Sequence, residues 1–297
     1  MKALDLKQIF HKELDVIYGK EEVASFFFLC LEQYCDVPRI QLSLEPEFSI
    51  SKSKTEAFFN TLDDLKQQKP IQYIFGETEF FGLKFKVTED VLIPRQETEE
   101  LVGLILQDYK TVTSIHFDAS GEKSLKILDI GTGSGCIAIS LAKHLPQSEV
   151  YALDVSHKAL GIAKQNAETN NVSIHFIEAN ILDSGNWNLV FQDLEFDVIV
   201  SNPPYVRHLE KKEIQPNVLD NEPHLALFVE DDNPLVFYKV IREFAVNNLK
   251  EKGQLYFEIN QYLGDETKQL LTDSQFSDIE LIKDLNGNHR ILKGTKT

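Results

Sequence analysis

An α/β fold built on a mostly parallel sheet, preceded by a small helical domain and a short β-rich connector, is predicted by three features of this 297-residue sequence. Apolar residues recur at helical spacing through the first 68 residues. After Pro94, short β-prone runs alternate with helix-like stretches, the order that builds parallel strands joined by crossover helices. From Leu125, a buried-type strand, a glycine-rich turn and an apolar helix follow one another without a gap.

The helical part rests on Val16, Val23, Phe26, Phe27 and Leu31, and then on Phe58, Phe59, Leu62 and Leu65, with Pro38, Pro46 and a serine-rich stretch between them. Lys69-Pro70 ends it. Residues 71–75, 79–81 and 83–87 read as short strands broken by Gly76 and Gly82, a hairpin-like connector in which Phe80 and Phe81 serve packing. Further strands are expected at residues 125–129, 149–154, 173–178, 196–201, 253–259, 279–283 and 290–293. Helices are expected to start near Thr98, Cys136, His157, Pro234 and Tyr262.

Composition narrows the function. A net charge of −17, with 42% apolar and 10% aromatic residues, describes an acidic globular chain. It disfavours general attraction to nucleic acid, which needs a basic surface, so no direct nucleic-acid binding is expected. The start of the chain lacks the pattern of a secretory signal and no run reaches the roughly 20 apolar residues of a membrane helix, so a cytoplasmic location without membrane contact is expected. Cys30, Cys35 and Cys136 form no CxxC pair and there is no zinc-like His cluster, which predicts reduced thiols and no metal.

Two motifs carry chemistry. The first is Asp129-Ile-Gly131-Thr132-Gly133-Ser134-Gly135, where glycines permit positive φ and let a ligand approach the backbone, and the following helix start favours anionic groups. Cys136 stands where the dinucleotide fingerprint has its third glycine, which weakens an NAD reading. Asp154 ends the next strand about 20 residues on, where an acid accepts hydrogen bonds from ribose hydroxyls. Asp129 is expected to orient the glycine loop or touch the ligand rather than move a proton. The second motif is Asn202-Pro203-Pro204-Tyr205 after a β-run. Its two prolines offer no N–H and hold their preceding residues extended, a stiff stretch with directed carbonyls.

In this order, the glycine loop, Asp154 and Asn202-Pro-Pro-Tyr205 resemble the class I S-adenosylmethionine-dependent methyltransferases that act on planar amino groups. Residues 70–76, 79–82 and 91–102, with Glu222-Pro223, residues 232–238, 256–259 and 284–290, are similar to the release factor glutamine methyltransferase family. Gln96 stands where that family usually has a second proline. The resemblance implies a Rossmann-like domain with a seven-stranded, mostly parallel sheet at 98–297, a β-hairpin connector at 69–97 and a helical substrate-recognition domain at 1–68. It implies S-adenosylmethionine as cofactor, S-adenosylhomocysteine as product and class I peptide-chain release factors as protein substrate, methylated on the glutamine of their Gly-Gly-Gln tip.

For the site, the resemblance implies cofactor contacts from Asp129, the loop 131–135, Asp154 and Asn202. It puts the adenine against Asn180 and Ile181 after the third strand, unless the lone tryptophan, Trp187, returns to cover it. An amide nitrogen is a poor nucleophile because its lone pair is delocalised. Acceptors on both of its protons hold electron density on nitrogen and stabilise the charge that develops there. The Asn202 side-chain oxygen and the Pro203 carbonyl suit those roles, as the resemblance also implies. Pro204 stiffens the turn, Tyr205 packs on the flat amide, and Glu222 is expected in a substrate-facing loop. Rival readings are a glutamine methyltransferase acting on a ribosomal protein, a base amino-methyltransferase, and a non-catalytic cofactor-binding scaffold.

Overall fold

The computed structural model describes residues 1–113, 124–192 and 194–297. Its contacts divide it into two compact units, Met1–Gly76 with Gln215–Asn221, and Glu77–Ile214 with Glu222–Thr297. The segment expected as one connector, 69–97, is thus shared between them. No helix among the described residues is long and apolar enough to cross a membrane.

The first unit is helical: α1 (Ala3–Tyr18), α2 (Lys20–Cys35), α3 (Arg39–Leu44), α4 (Lys52–Lys66) and α5 (Ile71–Phe75). Ala3, Leu6, Phe10 and Leu14 form the buried stripe of α1, and Val23, Phe26, Phe27, Cys30 and Leu31 that of α2. Phe10 lies edge-on to both Phe27 and Phe58, with ring centroids 5.7 and 6.1 Å apart. Val16, counted into the helical stripe from sequence, is 96% exposed. Gly19 at φ 81° ends α1, so the helical phase restarts at Lys20 and Val16 shares no face with Val23.

Residues 71–75 are a helix, not the expected strand. The locked φ of Pro70 suits a helix entry, its carbonyl accepts from the N–H groups of Tyr73 and Ile74, and Gly76 closes the turn at φ 73°. Ile71 and Ile74, three apart, both pack on the helical core, a spacing that the β-prone isoleucine, tyrosine and phenylalanine side chains conceal.

In the second unit a hairpin, β1 (Glu77–Phe80) and β2 (Leu83–Lys86), turns through Phe81 and Gly82, both at positive φ. Phe81 tolerates that backbone because its N–H donates to Glu99 Oε1 at 2.6 Å and its ring meets His144 edge-on. Next come α6 (Gln96–Thr113), β3 (Lys126–Ile130), α7 (Cys136–His144), β4 (Glu149–Asp154), α8 (His157–Asn170), β5 (His175–Glu178), α9 (Trp187–Phe191), β6 (Phe196–Ser201) and β7 (Val206–Arg207). Then α10 (Pro216–Asn221) groups with the first unit, and α11 (His224–Leu227), β8 (Phe228–Val229), α12 (Val236–Asn248), β9 (Leu249–Glu258), α13 (Gly264–Thr272), β10 (Phe276–Lys283) and β11 (His289–Lys296) complete the second.

The seven-stranded sheet runs β10-β11-β9-β6-β3-β4-β5, and β11 alone pairs antiparallel to its neighbours. The central strands are buried on both faces, which explains why β3 and β6 read as continuous apolar runs rather than alternating ones. The chain leaves β3 for β4 on one side and reaches β6 on the other. That switch point is where open α/β sheets bind ligands, beyond the carboxyl ends of their strands.

Replacing Phe10 by Ala removes a fully buried ring from the aromatic cluster and is expected to cost about 3–5 kcal/mol. Chemical denaturation of the full chain, followed by circular dichroism, measures it; a loss under about 1 kcal/mol contradicts this packing.

Candidate active site

The loops that follow β3, β4, β5 and β6 converge on the switch point and line a cavity of about 380 Å³. The first is built by backbone geometry. The N–H groups of Gly131 and Thr132 both donate to the Leu153 carbonyl, at 2.8 and 2.9 Å, which ties the glycine loop to the end of β4. Gly131 and Gly133 have φ of 77° and 55°, and no atom lies within 4 Å of the place where a Cβ would stand. Their backbone is therefore open to a ligand, as the glycine pattern predicts. Gly135 differs: a Cβ there would meet Ile139 Cδ1 at 2.8 Å and Ala163 Cβ at 3.2 Å, so its bareness serves the approach of α7 to α8.

Asp129 lies beneath the loop, fully buried. Its Oδ2 accepts from the Thr132 hydroxyl at 2.6 Å and from the Ala138 N–H at 3.3 Å, while Oδ1 is buried without a partner among the described residues. Burial pushes its carboxyl up to about 7, against the pull of those two hydrogen bonds. Asp129 thus orients the loop from below and does not line the cavity.

Asp154 lines it directly. One carboxylate oxygen accepts from Gly133 N–H and the other from Ser156 N–H, both at 2.8 Å, which leaves further acceptor capacity on each oxygen. Burial raises its pKa above the ordinary carboxylate value, and the backbone N–H bonds oppose that rise.

After β5, Ile181 and Asn180 line the cavity, Ile181 buried and Asn180 exposed with its Oδ1 accepting from Leu182 N–H at 3.0 Å. Trp187 does not line it, which corrects the expectation that it could cover the same ligand face. A 3₁₀ turn at Ser184–Asn186 leads into α9 and carries the indole onto Phe244, centroids 5.2 Å apart, with Nε1 donating to the Ile181 carbonyl at 3.0 Å. The tryptophan holds Ile181 in place from behind.

Asn202, Pro203 and Pro204 follow β6 into the same cavity, and Tyr205 joins Asn202 and Pro203 around a neighbouring hollow of about 60 Å³ shared with Arg95 and Glu258. The Asn202 amide nitrogen donates to Thr98 Oγ1 at 3.2 Å, and the Thr98 hydroxyl donates to Glu258 Oε2 at 2.7 Å. The Tyr205 hydroxyl donates to Glu258 Oε1 at 3.0 Å, and its main-chain carbonyl accepts from Asn260 at 2.9 Å. Burial lifts the Glu258 carboxyl above the ordinary range, while the two hydroxyl donors and Arg290 draw it back. Burial and then the neighbouring Glu258 charge push the Tyr205 phenol upward, so it stays protonated at neutral pH.

Glu222, expected in a substrate-facing loop, lines neither the cavity nor the hollow. It is buried, its Oε2 accepts from Ile93 N–H at 3.2 Å, and its Oε1 takes the Arg95 guanidinium. Held this way, it fastens residues 93–95 to the segment after β8's partner strand β7, whose Pro223, Leu225 and Ala226 line the cavity. Sequence reasoning passed over Thr98, which accepts from Asn202, and Glu258, which accepts from Thr98, on two other elements. It also passed over Asn166, buried, which accepts from Lys86 N–H and donates to the carbonyls of Lys86 and Ser134, joining hairpin to glycine loop. A polar residue inside an apolar helical stripe was the only available signal for Asn166.

A ligand cleft at the switch point of this sheet, opening beside a stiff Asn-Pro-Pro corner, is the arrangement of a class I methyltransferase, and the Methyltransferase small domain family matches residues 114–226. The PrmC N-terminal domain family matches residues 20–76. A release factor glutamine methyltransferase of Flavobacterium psychrophilum is 53% identical over 284 residues, covering 96% of this chain and 95% of that protein. The one from Bacteroides thetaiotaomicron is 40% identical over 285 residues, covering 96% and 97%. The chain belongs to the release factor glutamine methyltransferase family. Among solved structures, the hMettl16 catalytic domain in complex with MAT2A 3′UTR hairpin 6 aligns with a TM-score of 0.53 at 16% identity, over 83% of this chain and 82% of that one, a likeness of fold alone.

Arg95→Ala leaves the Glu222 carboxylate buried without its cation and is expected to destabilise the chain by about 3–5 kcal/mol. Adding Glu222→Gln should recover part of that loss in urea unfolding. A double variant less stable than Arg95→Ala would show that the charge is not what matters.

Proposed function

We propose that this chain transfers a methyl group from S-adenosylmethionine to the side-chain amide nitrogen of the glutamine in the Gly-Gly-Gln motif of class I peptide-chain release factors, in the cytosol. The observation that carries the reading is Asn202. Its amide nitrogen is occupied by Thr98, while its Oδ1 accepts no hydrogen bond among the described residues and the residue borders both the large cavity and the small hollow. An unsatisfied amide acceptor at such a junction suits a substrate that brings amide protons.

The cofactor fits the residues present. Open backbone at Gly131 and Gly133 can receive its charged amino-acid end, the Asp154 carboxylate its ribose hydroxyls, and Ile181 the apolar face of its adenine. Asp129 Oδ1, buried and unpartnered, is one more acceptor beside that loop. Bound there, S-adenosylmethionine supplies a methyl group on a sulfonium sulfur.

The chain's own part is positioning and electrostatics. Asn202 Oδ1 and the Pro203 carbonyl each accept a hydrogen bond from one amide N–H, which draws electron density toward nitrogen and stabilises the positive charge that grows there as it is methylated. One of those protons is then released to solvent, which leaves the neutral N-methyl amide. Pro203 and Pro204 keep this corner stiff, so little reorganisation is needed during the reaction. Tyr205, anchored through its hydroxyl on Glu258, shapes the wall against the flat amide. We further propose that residues 1–68 recognise the body of the release factor, and that residues 69–97 connect them to a methyltransferase domain at 98–297.

Mass spectrometry of a purified class I release factor after incubation with the protein and S-adenosylmethionine tests the reading. One added methyl is expected, mapped to the Gly-Gly-Gln glutamine and absent when that glutamine is replaced; no methyl on that residue overturns it. Asn202→Ala is expected to lower kcat by about 10²–10³-fold with cofactor affinity nearly kept. Asp154→Ala should weaken cofactor binding by about 10–100-fold in calorimetry, the scale of a lost charged hydrogen bond. Equal loss of cofactor binding in both variants would refute this division of roles.

A further inference from the structure

Asn202 presents either an acceptor or two donors to its neighbour, depending on which way its amide is turned, and only the acceptor end can receive an amide N–H. Nothing within the Asn-Pro-Pro-Tyr stretch decides between them. The decision lies in a buried chain of hydrogen bonds that starts outside that stretch.

Glu258, at the end of β9, is 2% exposed, and each of its oxygens receives a hydroxyl: Thr98 on Oε2 at 2.7 Å and Tyr205 on Oε1 at 3.0 Å. On the Tyr205 side the polarity is fixed by Arg290, which can only donate. Its Nη1 lies 3.5 Å from the phenol oxygen, so the phenol proton is directed to Glu258. Asp284, accepting from Arg290 Nε at 3.2 Å, holds that guanidinium in place. On the Thr98 side the polarity is fixed by the carboxylate. A Thr hydroxyl has one proton, and once that proton is given to Glu258 its oxygen can only accept, so it must face the Asn202 NH₂ at 3.2 Å. Two chains of donors, from Arg290 through Tyr205 and from Asn202 through Thr98, therefore converge on one carboxylate.

We propose that Glu258, acting through Thr98, is a positioning residue that sets which end of the Asn202 amide faces the substrate. The inference deepens the proposed amide methylation and rests on it for its kinetic readout, though the orientation itself exists without substrate. Replacing Glu258 by Gln keeps the shape and reverses the polarity on one side. Tyr205 still donates to the Gln oxygen, the Gln NH₂ then donates to Thr98, and the Thr98 proton turns to Asn202. That pulls Asn202 Oδ1 toward Thr98 and points its NH₂ at the substrate amide, donor against donor.

The test combines steady-state methylation of a release factor with nuclear magnetic resonance of the substrate-free protein. Glu258→Gln is expected to lower kcat by about 100-fold with S-adenosylmethionine affinity and melting temperature nearly unchanged. Thr98→Val, which cuts the chain and lets the amide turn either way, should lower kcat by about tenfold, and Thr98→Ser should restore most of that rate. The Glu258→Gln/Thr98→Val double variant should match Thr98→Val rather than show the product of the two losses, because with no relay the Gln cannot turn Asn202. Multiplicative losses, or a Glu258→Gln variant within about threefold of the parent, would overturn the proposal.

The side-chain amide resonance of Asn202, assigned by its disappearance in Asn202→Ala, gives a reading that does not depend on the substrate. Slow proton exchange is expected in the parent and in Thr98→Ser, and fast exchange in Glu258→Gln. An unchanged exchange rate in Glu258→Gln overturns the relay even if the release factor proves not to be methylated.

Discussion

The parallel register of β3 against β6 is the constraint on which the rest of the site depends. Asp129 lies opposite Val200 and Ile130 opposite Ser201, and the Ser201 hydroxyl donates to the Ile130 carbonyl at 2.7 Å. One residue beyond each strand end the chain leaves the sheet, into the glycine loop on one side and Asn202 on the other. A slip of one position would move Asn202 away from the cavity and exchange the side chains that β6 packs against its two buried faces. The apolar sides of these central strands, packed on both faces, make that slip costly.

Around that register the site is assembled from opposite kinds of polar chemistry. The ligand end uses backbone: two glycines with open space above them and N–H groups tied to Leu153 and Asp154. The amide end uses side chains, with Thr98 from α6, Tyr205 after β6, Glu258 from β9 and Arg290 from β11 meeting in a buried network. Buried polar groups of this sort cost free energy unless each donor finds an acceptor, so an acceptor that the network leaves open directs its capacity outward. Among the described residues, the Asn202 oxygen is such an acceptor.

A similar division separates holding from reacting. Glu222, Trp187 and Asp129 all carry functional chemistry in principle, and all three are spent on structure. Glu222 clamps Arg95, Trp187 backs Ile181, and Asp129 ties Thr132 to the start of α7. Glu222 and Asp129 are buried and Trp187 is half-buried, and each makes the residues in front of it rigid, which is what orientation of two reacting groups requires.

The alternation of strands and helices after Pro94, the glycine loop, Asp154 and the stiff Asn-Pro-Pro corner were legible in the sequence alone, because each depends on local chemistry: periodicity, positive φ at glycine, the missing N–H of proline. Tertiary structure decided the rest. It made a helix of Ile71–Phe75 by packing both isoleucines on one core, left Val16 outside that core by breaking the helix at Gly19, and sent Trp187 inward. It also brought Thr98 and Glu258, 160 positions apart in the chain, to 2.7 Å from each other. A hydrogen bond across that separation has no local signature. It forms where the fold buries both groups together, away from water, so that each must find its partners within the same small network.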